Sequence, residues 1–148
     1  MSNHLRTAAI VMLLVGVIVA LSTASIAQTK AALPKYDAKT EVHFKGSVVD
    51  TKEITLSNGQ QRFRLMVKSG EETQEVCLCP KAFLEMMDTA FAKGDDVEVT
   101  GSKVKEGEDK TIVLAREVTK GQNTLVLRDK NGEPVWTWME KTKGGEGK

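Results

Sequence analysis

Residues 62–80 read RFRLMVKSGEETQEVCLCP, and the periodicity of this stretch decides the fold. Phe63, Leu65 and Val67 alternate with Arg62, Arg64, Met66 and Lys68, the period-two signature of a strand with one buried face. Ser69-Gly70-Glu71-Glu72 turns the chain, and Val76 and Leu78 resume the alternation on a returning strand. Centring the turn on Gly70-Glu71 sets the register: Phe63 faces Leu78, Leu65 faces Val76, Arg64 faces Cys77 and Arg62 faces Cys79. At Pro80 the period changes. Phe83, Leu84, Met87 and Phe91 recur at helical spacing up to Lys93-Gly94, which predicts one helix over about 80–93.

Upstream, Val42, Phe44, Val48, Ile54 and Leu56 share one parity with Gly46 among them, so one long, coiled first strand, or two segments of one, is expected. Asn58-Gly59 joins it to the second strand by a tight turn that puts Glu53 beside Arg64 and Thr55 beside Arg62. Downstream of the helix, Asp96 to Thr100 alternates again. Val104 then has the opposite parity, which an extra residue near Gly101-Ser102 would correct. A charged loop from Lys105 to Lys110 leads to a fifth strand over 111–118. A closing hairpin, 124–128 with 133–138, is expected about Asn131-Gly132. Three strands, a helix and two strands is the order of the OB-fold, so the expected class is mainly β: a five-stranded Greek-key barrel with one helix between strands 3 and 4 and an added C-terminal hairpin.

Gly94-Asp95-Asp96-Val97-Glu98-Val99-Thr100-Gly101 resembles the Gly-Asp-x-Val-x-Val-x-Gly segment of exported bacterial OB-fold proteins, the periplasmic stress-tolerance proteins among them. The resemblance covers strand order over about 80 residues and implies an envelope protein without fixing a ligand.

The ends of the chain agree with that address. Residues 1–27 hold Arg6, no acidic residue, an apolar run from Ala8 to Leu21 and small residues up to Ala27, the pattern of a secretory signal peptide; left uncleaved, the segment would be a membrane anchor. No cysteine lies near residue 27, which argues against a lipid anchor. Residues 28–38, broken by Pro34, read as a spacer, 39–138 as the OB-fold domain with its hairpin, and 139–148 as a disordered tail. The expected location is periplasmic or secreted, with membrane contact only through an uncleaved signal. Of 21 Lys and Arg and 20 Asp and Glu, only Arg6 falls in the first 27 residues, so the remainder is charge-balanced. Charge balance, acidic Glu106, Glu108 and Asp109, and an inward Phe63 speak against nucleic-acid binding, which needs a basic groove with stacking platforms.

The most informative side chains are Cys77 and Cys79. The expected register sets both thiols on the outer face of the first three strands with Arg62, Arg64, Glu53 and Thr55. Neighbouring guanidiniums, and for Cys79 the start of the helix, would favour the thiolates. Two thiolates with Met66 or Met86 as thioethers would suit a soft ion such as Cu(I), or the pair could exchange disulfides. An internal disulfide is less natural in an extended strand, where residues i and i+2 stand about 6.6 Å apart. The plain alternative is burial, with Trp136 and Trp138 folded over both thiols. His43, of outward parity beside Lys45, reads as a solvated strand residue. No Cys–His, Ser–His–Asp, phosphate-loop or paired-His pattern is present in the sequence. The expectation is therefore a non-enzymatic exported binding or accessory module, presenting that outer face to an envelope protein partner or a soft metal. A thiol redox protein is the alternative, and single-stranded nucleic-acid binding is disfavoured.

Overall fold

A computed structural model describes residues 32–143 of the chain; the signal-like segment 1–27, the start of the spacer and residues 144–148 lie outside the described residues. The elements are β1 (Glu41–Thr55), β2 (Gln61–Ser69), β3 (Glu72–Cys77), α1 (Lys81–Met86), β4 (Asp96–Glu106), β5 (Lys110–Lys120), β6 (Asn123–Val126) and α2 (Thr137–Lys143). The sheet runs β3-β2-β1-β4-β5-β6 with antiparallel neighbours. A parallel pairing of β3 with β5, Val76 to Val113 and Cys77 to Leu114, closes it into a barrel. This is the OB-like order, with β6 added outside β5.

β1 is the expected long strand, and Gly46 lets it coil. A methyl group there would press on the Lys68 carbonyl and come within 2.7 Å of Val67 Cγ1. A bulge at Val49, between Val48 opposite Val67 and Asp50 opposite Met66, then swaps the faces of the strand. Ile54 therefore lies opposite Arg62 on the outer side, and not with Val48 inside the barrel. The β2–β3 register is the expected one from the turn as far as Arg64 opposite Cys77, with Leu65 opposite Val76, and breaks beyond it.

The β1–β2 register differs by one residue from the expected one. The Leu56 amide donates to the Gln60 carbonyl (2.7 Å) and the Gly59 amide to the Leu56 carbonyl (2.9 Å), with Gly59 at φ 82°. This is a three-residue loop ending in a left-handed glycine, and not a two-residue turn on Asn58-Gly59. Lys52 consequently stands opposite Arg64 and Ile54 opposite Arg62, while Glu53 pairs with Phe63 and Thr55 with Gln61.

The helix is shorter than its periodicity predicts. Asp88 adopts φ 51°, its amide donates to the Glu85 carbonyl (3.1 Å), and the Thr89 amide donates to the Leu84 carbonyl (2.9 Å). This paired closure caps the last carbonyls and ends α1 at Met86, with an aspartate in the position glycine usually takes. Phe91 still reaches the core, from an irregular segment.

The ladder of β4 with β5 does shift between Thr100 and Gly101, but the extra residue is Arg116 on β5. Val104 is not turned inward. It joins a second cluster with Cys77, Ile112 and Leu114 on the outside of the barrel wall, covered by Leu33 and Tyr36 of the amino-terminal strap. The strap is tied down where the Asp37 amide donates to Ser102 Oγ (3.0 Å) and Tyr36 Oη to Glu41.

The carboxy-terminal arm keeps the expected turn at Asn131-Gly132 and an isolated bridge from Arg128 to Pro134, but the returning strand is missing. The chain instead enters α2, whose last residues occupy part of the stretch expected to be unstructured. Trp136 is fully buried in the main core, 6.0 Å from the Phe83 ring. Among the described residues no helix is long and apolar enough to cross a membrane.

Candidate functional site

Arg62 and Arg64 project from the outer side of β2 as their parity predicts, yet that side is sealed by the strap, by β5 and by the carboxy-terminal arm. Each guanidinium is neutralised differently, and the differences define the site.

Arg64 is 1% exposed. Its Nη1 donates to Glu75 Oε1 (2.6 Å) and Glu106 Oε1 (3.0 Å), and its Nη2 to Glu106 Oε2 (2.5 Å). Lys52 and Lys110 each reach Glu75 at 2.9 Å. Burial pushes the Glu75 carboxyl up, but hydrogen bonds from Arg64, Lys110 and Lys52 outweigh it and hold the group at about 2. The hydrogen bonds from Arg64 likewise hold the Glu106 carboxyl below its ordinary range.

Arg62 has one carboxylate, Glu140 of α2, at 2.7 Å. The same carboxylate accepts from Gln60 Nε2 (2.9 Å) and Trp136 Nε1 (3.2 Å), so α2 is latched to the β1–β2 loop.

Arg128, on the arm just beyond β6, is 7% exposed and has no carboxylate partner among the described residues. Its Nη1 donates to the Gly132 carbonyl (3.0 Å), while its Nε is buried without an acceptor. The guanidinium carbon lies 5.4 Å from the Trp136 ring centroid and 5.9 Å from that of Tyr36. Burial, helped by the nearby Arg62 charge, lowers the affinity of Arg128 for its proton. Arg62 and Arg128 both line a cleft of about 470 Å³ walled by Tyr36, Trp136, Leu56 and Pro134, with Lys35 and Glu133 also on its lining.

The thiols lie apart. The Leu78 amide donates to the Phe63 carbonyl (2.9 Å) and the Phe63 amide to the Cys79 carbonyl (2.8 Å). Leu78 and Cys79 thus oppose Phe63 together, a two-for-one bulge, and Cys79 turns into the barrel core instead of facing Arg62. Cys77 stays on the arginine side, in the second cluster. Both are free and fully buried. Burial pushes the Cys77 thiol up despite Arg64, Arg62 and Arg128, and it pushes the Cys79 thiol up to about 12. The activation expected from neighbouring arginines and the helix start is overcome by desolvation.

Of the remaining expected site residues, Glu53 and Thr55 are exposed, Met66 is half-buried opposite Glu75, and Met86 is 49% exposed on α1. Among the described residues no group of three or more His, Cys, Asp or Glu is placed to hold a metal ion. His43 sits on the outer side of β1 against Glu98 (2.6 Å) and Thr100 (2.8 Å). Trp136 lies against Arg62 and Arg128 in the cluster that holds Cys79, but Cys77 is covered by Leu33 and Tyr36 instead, and Trp138 is 55% exposed. Arg128, Tyr36 and Glu140 are the participants the sequence reading did not single out. The inward parity of Leu125 and Leu127 does signal an outward Arg128, but nothing local signals that Trp136 folds back over it.

No curated protein matches the chain. Two crystal structures of the mitochondrial single-stranded DNA-binding protein Rim1 from S. cerevisiae resemble it at 12% identity. They cover 61% and 60% of this chain and 99% of their own, with TM-scores of 0.44 and 0.42. Residues 40–125, from the end of the strap through Leu125 of β6, match the MamS/MamX magnetosome protein family. The OB-like barrel described above is thus the part of the molecule that carries the kinship, and the chain belongs to the MamS/MamX magnetosome protein family.

Proposed function

We propose that this protein is a non-enzymatic accessory module of the magnetosome, acting outside the cytoplasm by binding, and that its binding seat is the cleft between strap, β1–β2 loop and carboxy-terminal arm. The observation that carries this reading is Arg128, a nine-tenths buried cation that lines an open cleft with no carboxylate to neutralise it among the described residues. Burying an uncompensated charge is costly, and such groups are retained where function uses them. The outer face of the first three strands is a weaker seat, since the strap covers Cys77 and the Arg64 end is already neutralised. Cu(I) coordination or thiol exchange at Cys77 and Cys79 would need thiolates within reach of a partner, whereas both are buried with raised proton affinity.

The test is complementation in cells lacking the gene. Ser57 is exposed and lines the cleft, while Val49 is exposed on the β1 bulge away from it. Ser57→Trp should fail to restore the magnetosome phenotype and Val49→Trp should restore it. The reverse pattern would move the seat to the β1 face.

A further inference from the structure

We propose that the cleft takes an oxyanion, the carboxylate or phosphate end of a small organic molecule, and that Arg128 receives it. This rests on the cleft being the binding seat and adds the chemistry of the ligand.

Three observations converge on this chemistry. The first is unfilled donors: with Nη1 engaged by the Gly132 carbonyl, Nη2 of Arg128 meets no acceptor among the described residues, and Nε, enclosed by protein like the Nε of Arg62 and Arg64, meets none either. Two parallel N–H donors on one edge of a guanidinium match the two oxygens of a carboxylate or phosphate. The second is charge. Lys35, Arg62 and Arg128 line the cleft against the single carboxylate of Glu133, and Glu140 is committed to Arg62 from outside the lining. One uncompensated positive charge remains, beside the aromatic rings. The third is shape. Arg62 and Arg128 each lie 5.4 Å from the Trp136 centroid, so the cations are held on a rigid aromatic wall. Tyr36, Leu56 and Pro134 add apolar contact beside the charged head, within a lining that is otherwise largely polar.

Glycine at 132 protects this geometry. It adopts φ 83°, and a Cβ there would come within 2.5 Å of Tyr36 Cδ1, displacing the ring that flanks Arg128.

The experiment is a ¹⁵N NMR titration of the full chain with benzoate, phenyl phosphate and neutral benzamide, read at Arg128 Nε–H and Trp136 Nε1–H. Both anions should shift these signals saturably, with benzamide at least tenfold weaker, and the order of the two anions identifies carboxylate or phosphate as the preferred head. Arg128→Gln should weaken anion binding at least tenfold. Arg128→Lys, which keeps the charge and loses the fork, should fall between, and it decides the matter if the glutamine variant does not fold. Equal affinity for benzamide and benzoate, unchanged binding in Arg128→Gln, or no shift with any of the three overturns the oxyanion assignment. Benzamide binding at these signals independently of Arg128 would leave the cleft as the seat and remove only its anion chemistry. Anion binding at Arg128 combined with a Ser57→Trp chain that works normally in cells would do the opposite.

Discussion

Arg64 and Arg128 are the same residue type, both buried against the same side of one barrel wall, and they are treated in opposite ways. Arg64 is met by Glu75 and Glu106, whose spare charge is met in turn by Lys52 and Lys110. Arg128 is met by a carbonyl and two aromatic rings. The first arrangement is closed and holds the β2, β3 and β4–β5 loop positions in place. Nε lacks an acceptor in both, but the second also lacks a carboxylate and lies beside a cleft. Burial by itself therefore does not show how a cation is held; the count of opposing carboxylates separates the two.

The largest expected effect is at the closed end. Arg64→Gln leaves Glu75 and Glu106 facing each other with only the two lysines, and should cost about 4 kcal/mol in urea unfolding. A loss below about 1 kcal/mol would mean that the network contributes little. Glu75→Gln should cost about 2 kcal/mol at neutral pH, since Glu106 still serves Arg64. Its pH dependence has a definite sign. The folded carboxyl is held at about 2, below its ordinary value near 4.5, so its stabilisation is present above pH 4.5 and is lost as pH falls toward 2. The glutamine variant should show a flatter acid limb than the parent chain between those values. An unchanged acid limb would assign the acid sensitivity to other groups.

At the open end the effects are small on stability. Arg128→Gln removes no ion pair and should change unfolding by about 1 kcal/mol or less, the scale of its cation–π contacts. A cost comparable to that of Arg64→Gln would break the contrast. Smallest of all, a bulky thiol reagent should leave Cys77 and Cys79 unmodified in the folded protein and label both in denaturant. Rapid labelling of either thiol under native conditions would reopen the metal and redox readings.

The barrel was largely legible because its signals are local and redundant. The alternation over 62–78 and the Gly70-Glu71 turn fix the β2–β3 pairing, and strand order then implies closure through β3 and β5. The errors share a physical cause, the one-residue slip. Asn58-Gly59 reads alike for a two-residue turn and for a three-residue loop ending in a left-handed glycine, and the difference exchanged Glu53 for Lys52 opposite Arg64. Leu78 and Cys79 are both apolar, so alternation could not show that they share one opposing residue. Asp88 carries no strong helix-stop signal, although aspartate tolerates the left-handed region. The site was half legible: Arg62 and Arg64 by parity, but not the distant segments that cover them. Leu33 and Tyr36 are the apolar members of a stretch that otherwise reads as spacer, and their packing on Ile112 and Leu114 is visible only in the closed barrel.

The division of labour between the two arginines is tested most directly by unfolding the parent chain, Arg64→Gln and Arg128→Gln in rising benzoate. A ligand that binds only the folded state raises stability with concentration. The account predicts that the parent and Arg64→Gln both gain stability as benzoate rises, the latter from a lower starting point, while Arg128→Gln starts near the parent and gains at least tenfold less readily. A benzoate response retained in Arg128→Gln and lost in Arg64→Gln would contradict it.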